Sequence, residues 1–481
     1  MANTKFSKKI HSQGKNVPSD TTSTPNKIRA TTEFTFTGKK MTPFGGMFTL
    51  SSLVEKIQLD KLIENTLTVT RKTDLEVHKY ILAIIFMLYM GYERLSHFVY
   101  LHKDSFFLRI LGLSVLPVQT SFWRFLNLSL HKHNELQLQM VNLKALQRVW
   151  TAANVCLKRI HIDIDPTTET VFGKYDGAKK GYNPGHRGRK SFRPFTITIA
   201  ETNEIIGGKL RTGTTITGKD LARQTKLVLE NLPDCVEEVI VRADSEMYCK
   251  ELVHECERNG CRFILSVKKN SAIKQKLSEI TKWKYSPDSF GTSEFLYEPN
   301  GWGKKYRFLV SRYEKDKKEK EKQTDMFNDE EYKYRVFVTD LKHSSKAVVR
   351  EYDGRAGTEN IIEEAKNQVA MSKFPGKSFI SNSIFLQFVI LAFNMNRWLQ
   401  LLGRDEDKEF KTEEMKTSRF KHLYLACKVA DSEHKTKLRF DEGYAYQKHF
   451  LRLMERIRSI VFSCGQINVV LARNLIPRYS Q

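Results

Sequence analysis

The chain has 481 residues, 40% hydrophobic and 28% charged, a globular balance with length for several domains and for a core that needs no disulfide or metal staple. Its 79 lysines and arginines outweigh 55 acids, and the formal charge of +24 favours a polyanionic partner such as DNA, RNA or an anionic surface. No membrane partner is expected: the apolar run 80–92 falls short of the roughly 20 residues a bilayer needs, and the run 384–398 is interrupted by Gln387, Asn394, Asn396 and Arg397.

Residues 1–44 read as a disordered basic arm, since 1–40 hold eight lysines and arginines against two acids. The N-terminus carries no apolar signal segment, and the seven cysteines form no Cys-x2-Cys pair, which suits a reducing cytoplasm. Cys249, His254, Cys256 and Cys261 suggest a zinc cluster only weakly, because their spacing fits no common knuckle. From 45 to 155 the pattern is helical: Leu50, Leu53, Val54, Ile57, Leu62 and Ile63 recur at helical spacing, and helices are predicted over 77–92, 106–116, 119–130 and 134–153. This is read as an all-helical, DNA-binding domain.

At 158 the period changes. In 159–165, Ile160, Ile162 and Ile164 face one way and His161, Asp163 and Asp165 the other. A hairpin over 195–200 and 204–213 follows, then helix 218–231, strand 236–244, helix 246–259 and strand 261–267. The order predicts an α/β mixed sheet with packed helices, whose first part spans 156–267. Strand-like pieces at 294–298, 305–312 and 334–339 predict a β-rich insertion over 268–351, with 315–331 as a solvated charged loop. Helices at 357–373 and 381–402 place the last part of the core at 352–402. A C-terminal helical region, with helices at 418–429 and 443–462, fills 403–481.

Three carboxylates bear on chemistry. Asp165 and Asp244 end two predicted strands; if those are neighbours, both acids emerge on one side of the sheet. Like charges held close disfavour joint ionisation unless a cation neutralises them, and oxygen-only donors suit Mg²⁺ or Mn²⁺. The third comes from 352–368, where Glu359, Glu363 and Lys366 share a helical face downstream of Tyr352 and Arg355. Alternation alone does not separate Asp163 from Asp165 as the ligand, and Glu363 reads as an ordinary surface acid.

Tyr352-x2-Arg355-x3-Glu359-x6-Lys366 matches the Y-x2-R-x3-E-x6-K signature of bacterial DDE insertion-sequence transposases. The flanking HIDIDPT, KKGYNPGHRGRKSFRPF and IVRADS resemble the insertion-sequence-1380 family in particular. The resemblance implies an RNase H-like catalytic core, interrupted by the β-rich insertion, in which Asp165, Asp244 and Glu359 hold two Mg²⁺ or Mn²⁺ ions. Asp165 fits this by standing in an Asp-x-Thr motif. It implies cleavage and strand transfer of insertion-sequence ends by two-metal phosphoryl transfer, with Tyr352, Arg355 and Lys366 on phosphate. The implied partner is double-stranded DNA, both terminal inverted repeats and target, with a homodimer in the synaptic complex and a bacterial, nucleoid-associated location. Glu246 departs from the pattern, standing where a small residue is expected.

The segment 174–193 holds seven basic residues against one acid, with Tyr175, Tyr182 and Phe192 interleaved. Lys179, Lys180, Arg187, Arg189 and Lys190 are therefore expected to track a DNA backbone. Trp302 reads as core packing of the insertion rather than a base-stacking residue. Two other functions share these features: a catalytically silent DNA-binding protein of the same fold, and a nuclease that cuts without joining.

Overall fold

In the computed structural model the described residues are 28–461, without 34, 37–39, 182, 184, 215–216, 286–289, 315–331, 406–409 and 433–434. The charged loop 315–331, Tyr182 and most of the basic arm therefore lie outside the described residues. Residues 1–39 and 40–481 form two units. The described part of the first holds a turn closed from the Thr32 N–H to the Arg29 carbonyl at 3.0 Å. All that follows concerns the second unit.

Strict alternation gives β1, Arg159–Pro166, two distinct faces, and the strand is flanked on both sides in a mixed sheet. Its isoleucines are fully buried on one face. β2 (Phe195–Ile199) pairs antiparallel with β1, and β3 (Glu204–Lys209) antiparallel with β2. On the other side β4 (Glu238–Ala243) runs parallel to β1, and β5 (Arg262–Ser266) parallel to β4. Helices Gly218–Leu229 and Lys250–Arg258 make the crossovers. The core order is thus β3-β2-β1-β4-β5.

The segment 268–351 adds its strands to the same sheet rather than building a second one. β6 (Lys284–Tyr285), β7 (Phe290–Tyr297), β8 (Tyr306–Glu314) and β9 (Tyr332–Thr339) pair in sequence, and β9 docks antiparallel on β5. The described sheet has nine strands in the order β6-β7-β8-β9-β5-β4-β1-β2-β3. Trp302 is 9% exposed and lies against Tyr248 and Tyr306, so it packs the insertion onto the core.

The helices of 45–155 share one apolar core with the sheet and with helix Phe379–Gly403. That helix is long and apolar enough to cross a bilayer by composition, and it is buried here. Its polar interruptions have a structural cause. β3 is an edge strand whose backbone needs partners. Asn394 donates to the Ile205 carbonyl at 2.7 Å and accepts from its N–H at 2.9 Å, while Asn142 of helix His133–Ala152 donates to the same carbonyl. Gln387 and Gln139 both donate to the Gly208 carbonyl. Side-chain amides from two helices thus close the sheet edge.

The C-terminal region differs from the helical expectation. The sequence predicts a helix over 418–429; Met415–Leu423 is helical, but Cys427–Ser432 is a strand paired antiparallel with Lys435–Phe440. Buried Cys427 and Val429 alternate with exposed Lys428, which is a strand period. Met41–Thr42, inside the expected disordered arm, pairs with Lys428 and Cys427 to make a third strand. Helix Gln447–Ser459 then packs on Met47–Lys56.

Candidate active site

The polar face of β1 is joined, residue by residue, to the helix pair Ser345–Asp353 and Ala356–Gln368. Arg159 pairs with Glu351. His161 Nδ1 lies 2.7 Å from Glu201 and Nε2 3.0 Å from Glu351. Asp163 takes the Arg242 fork at 2.6 and 2.8 Å and a hydrogen bond from the Thr358 hydroxyl at 2.8 Å. Asp165 takes Arg355 Nη1 at 2.9 Å.

Parallel register opposes Ile164 to Ala243, so Asp165 and Asp244 leave adjacent strands at the same end of the sheet. Asp244 opens the short turn Ser245–Met247. Glu359 stands on the first turn of Ala356–Gln368 with its side chain 70% exposed, and its Oε1 is 4.0 Å from Arg355 Nη2. The acids feel one another: burial pushes the Asp165 carboxyl up to about 6, the negative fields of Asp244 and Glu359 add to this, and Arg355 opposes it. Of the three acids named from the sequence, Asp165 bonds the Arg355 guanidinium, Glu359 lies 4.0 Å from it, and Asp244 acts on it through its charge. Asp163, by contrast, is fully buried in its pair with Arg242 and has no free oxygen to offer a ligand.

The signature's other residues are also engaged. Tyr352 is buried, its ring tilted against Phe337 at 4.6 Å, with its hydroxyl donating to the Ala243 carbonyl at 3.4 Å. It supports the strand end beside Asp244. Lys366 pairs at 2.8 Å with Glu169, a buried acid whose carboxyl burial raises and Lys366 lowers. Glu169 was not singled out from the sequence. It belongs to Glu169–Thr170, the first strand of a small sheet with Lys190–Phe192 and Lys179–Lys180.

That sheet carries the basic residues. Lys179, Lys180, Arg187, Arg189 and Lys190 are all exposed, and the Lys366–Glu169 pair ties the sheet to the helix bearing Glu359. Arg189 lies 5.9 Å from the ring centre of Phe172, itself 68% exposed, and His186 meets the same ring edge-on. Tyr175 and Phe192 turn inward onto Phe374. A Cβ on Gly181 would lie 1.9 Å from the Gly213 carbonyl, so this close backbone approach requires glycine. Glu246 pairs with Arg193, a buried contact fastening the turn after Asp244 to the end of the basic segment.

Arg242 and Thr358 were missed as well. The available signal was that Arg242 shares a strand face with Asp244, two residues on, and must meet Asp163 if the strands pair in register. For a metal, among the described residues no group of three or more His, Cys, Asp or Glu is close enough to hold one as the side chains stand. At the strand ends the cation among the carboxylates is Arg355. Cys256 and Cys261 are thiols pushed up by burial, the latter to about 11.

No curated protein matches this chain. Among solved structures, a piggyBac transposase in a synaptic complex with hairpin DNA is similar over 88% of this chain and 86% of its own, at 12% identity and a TM-score of 0.42. Residues 25–461 match the family described as "Transposase DDE domain group 1", and the chain therefore belongs to the DDE transposases.

Proposed function

We propose that the protein cleaves and joins the ends of a bacterial insertion sequence, with Asp165, Asp244 and Glu359 as the catalytic carboxylates. The observation that carries this is that Asp165 and Glu359, from distant segments, both meet Arg355 at the strand end that Asp165 shares with Asp244, whose charge acts on both Asp165 and Arg355. The order β3-β2-β1-β4-β5 supports an RNase H-like core, and the matches to the insertion-sequence-1380 pattern support that branch.

The donors fit Mg²⁺ or Mn²⁺ by chemistry: they are carboxylate oxygens without His or Cys, and their mutual repulsion calls for a cation. Asp165, Asp244 and Glu359 would hold two such ions, which in this chemistry activate water or a 3′-hydroxyl and stabilise the leaving oxygen. Arg355 and Lys366 would grip phosphate. Each is now held by a carboxylate, Asp165 or Glu169, so an incoming phosphate competes with those acids for the cation. The exposed cations at 179–190 would track the duplex, and the helices of 45–155 would bind the terminal repeats. Two copies would pair two ends in the synapse, in the cytoplasm on the nucleoid.

Replacing Asp165, Asp244 or Glu359 singly by Ala should abolish Mg²⁺-dependent cleavage of end-bearing DNA and leave end binding intact. Full cleavage by the Asp244→Ala or Glu359→Ala protein would refute the assignment.

A further inference from the structure

We propose that Asp163, Arg242 and Thr358 form a positioning clamp that sets where the three carboxylates stand relative to one another. The inference rests on the catalytic reading above and adds residues that the reading does not use. Each clamp residue is a near neighbour of one carboxylate in the chain. Asp163 precedes Asp165 by two on β1, Arg242 precedes Asp244 by two on β4, and Thr358 directly precedes Glu359. All are buried, at 0%, 3% and 1% exposure.

The bonds among them join the three segments. Arg242 Nε donates to Asp163 Oδ1 at 2.6 Å and Nη2 to Oδ2 at 2.8 Å, which locks β4 to β1. The Thr358 hydroxyl donates to Asp163 Oδ2 at 2.8 Å, which locks the start of helix Ala356–Gln368 to the same carboxylate. Arg242 Nη1 donates to the Glu351 carbonyl at 2.5 Å, fixing the end of the preceding helix. A Cβ on Gly354 would come within 2.8 Å of that nitrogen, so the glycine admits the guanidinium. Packing alone does not explain the choice of residues, because apolar side chains of similar volume usually hold such a place at no cost in stability. What a bidentate fork and a hydroxyl add is direction. Groups that share a reacting centre must be held to within about 0.5 Å, and an error of about 1 Å costs roughly a hundredfold in rate.

Thr358→Val tests this, since it keeps the shape and removes the donor. Four readouts are taken: thermal unfolding, affinity for end DNA, cleavage rate, and Mn²⁺ binding followed by electron paramagnetic resonance. Unfolding and DNA affinity should stay near the unmodified protein. Cleavage should fall roughly 10- to 100-fold, with several-fold weaker Mn²⁺ binding, and Thr358→Ser should restore both. Unchanged cleavage and Mn²⁺ binding in Thr358→Val would overturn the clamp, as would failure of Thr358→Ser to restore them. If Thr358→Val does not fold, Arg242→Lys carries the test, because it keeps the charge and loses the fork; unchanged Mn²⁺ binding there overturns the clamp. The unmodified protein and Glu359→Ala run alongside. Cleavage absent in the first, or retained in the second, defeats the catalytic reading itself and so is told apart from failure of the clamp alone.

Discussion

Asp163→Ala should be among the most damaging single changes in the core, and Asp165→Ala, two residues on, clearly less damaging. Asp163 and Arg242 form a pair at 2.6 Å with side chains 1% and 4% exposed. Removing the acid leaves a buried guanidinium with the Glu351 carbonyl as its hydrogen-bond acceptor, a situation that costs about 3–5 kcal/mol. The orphaned Thr358 hydroxyl adds about 1 kcal/mol. Against a typical folding stability of about 5–15 kcal/mol, that is a large share. Asp165 is the opposite case. Its carboxyl, raised to about 6 by burial and by two neighbouring acids, is ionised at neutral pH against the preference of its surroundings. Because its folded value lies above the ordinary one, its contribution is complete at low pH and is lost as pH rises through 6, which at pH 7.5 offsets part of the cost of stranding its partner Arg355. Urea unfolding followed by two probes gives the comparison, read as a midpoint shift at constant slope. The double change Asp163→Leu with Arg242→Met should recover most of the loss, because it removes both charges together. A loss under about 1 kcal/mol for Asp163→Ala, or simple additivity in the double variant, would refute the buried-pair argument.

Three further outcomes follow from the same structure. Glu204 is buried between Trp150 and Trp398, whose indole N–H groups donate to it at 2.8 and 2.9 Å, and burial pushes its carboxyl up to about 7. Its contribution to stability is therefore present at acid pH and lost as pH rises through 7. The stability gap between the unmodified protein and Glu204→Gln should close by about 3 kcal/mol from pH 4.5 to 8, and a pH-independent gap would contradict this. Lys366→Ala should lower the melting temperature, because it strands buried Glu169, and adding Glu169→Gln should restore it; an unmoved melting curve would make Lys366 a solvated charge. Neutralising Lys179, Lys180, Arg187, Arg189 and Lys190 together should reduce the salt slope of duplex binding by up to about 4, and an unchanged slope would remove the basic sheet from the DNA path.

Much of the site was legible because its signals are local. Alternation in 159–165 put three isoleucines on one face and His161, Asp163 and Asp165 on the other; in the structure the second face is largely buried too, against helices Ser345–Asp353 and Ala356–Gln368. What alternation could not do was choose between Asp163 and Asp165, which share a face. The choice depends on Arg242 and Thr358, brought there by strand register and helix docking over 79 and 195 residues of separation. The same limit explains the C-terminal hairpin, whose third strand is Met41–Thr42 from the far end of the chain. It explains Asn394 and Gln387 too: in the sequence they only break an apolar run, and their role appears once the edge strand lies against them. Lys366 and Tyr352 matched a signature, but their burial and partners depend on tertiary neighbours that no spacing reveals.

The central claim is that three carboxylates drive cleavage followed by joining, and the most direct measurement uses the DNA that flanks this coding region. A supercoiled plasmid carrying both flanking ends is incubated with the unmodified protein, target DNA and Mg²⁺, and the products are mapped at nucleotide resolution. The account expects cuts at the two ends and their transfer into target, with both reactions lost in Asp165→Ala, Asp244→Ala and Glu359→Ala. Cuts without joined product would make the protein a nuclease. Binding without any cut, in Mg²⁺ and in Mn²⁺, would contradict the account and leave a silent DNA-binding protein of the same fold.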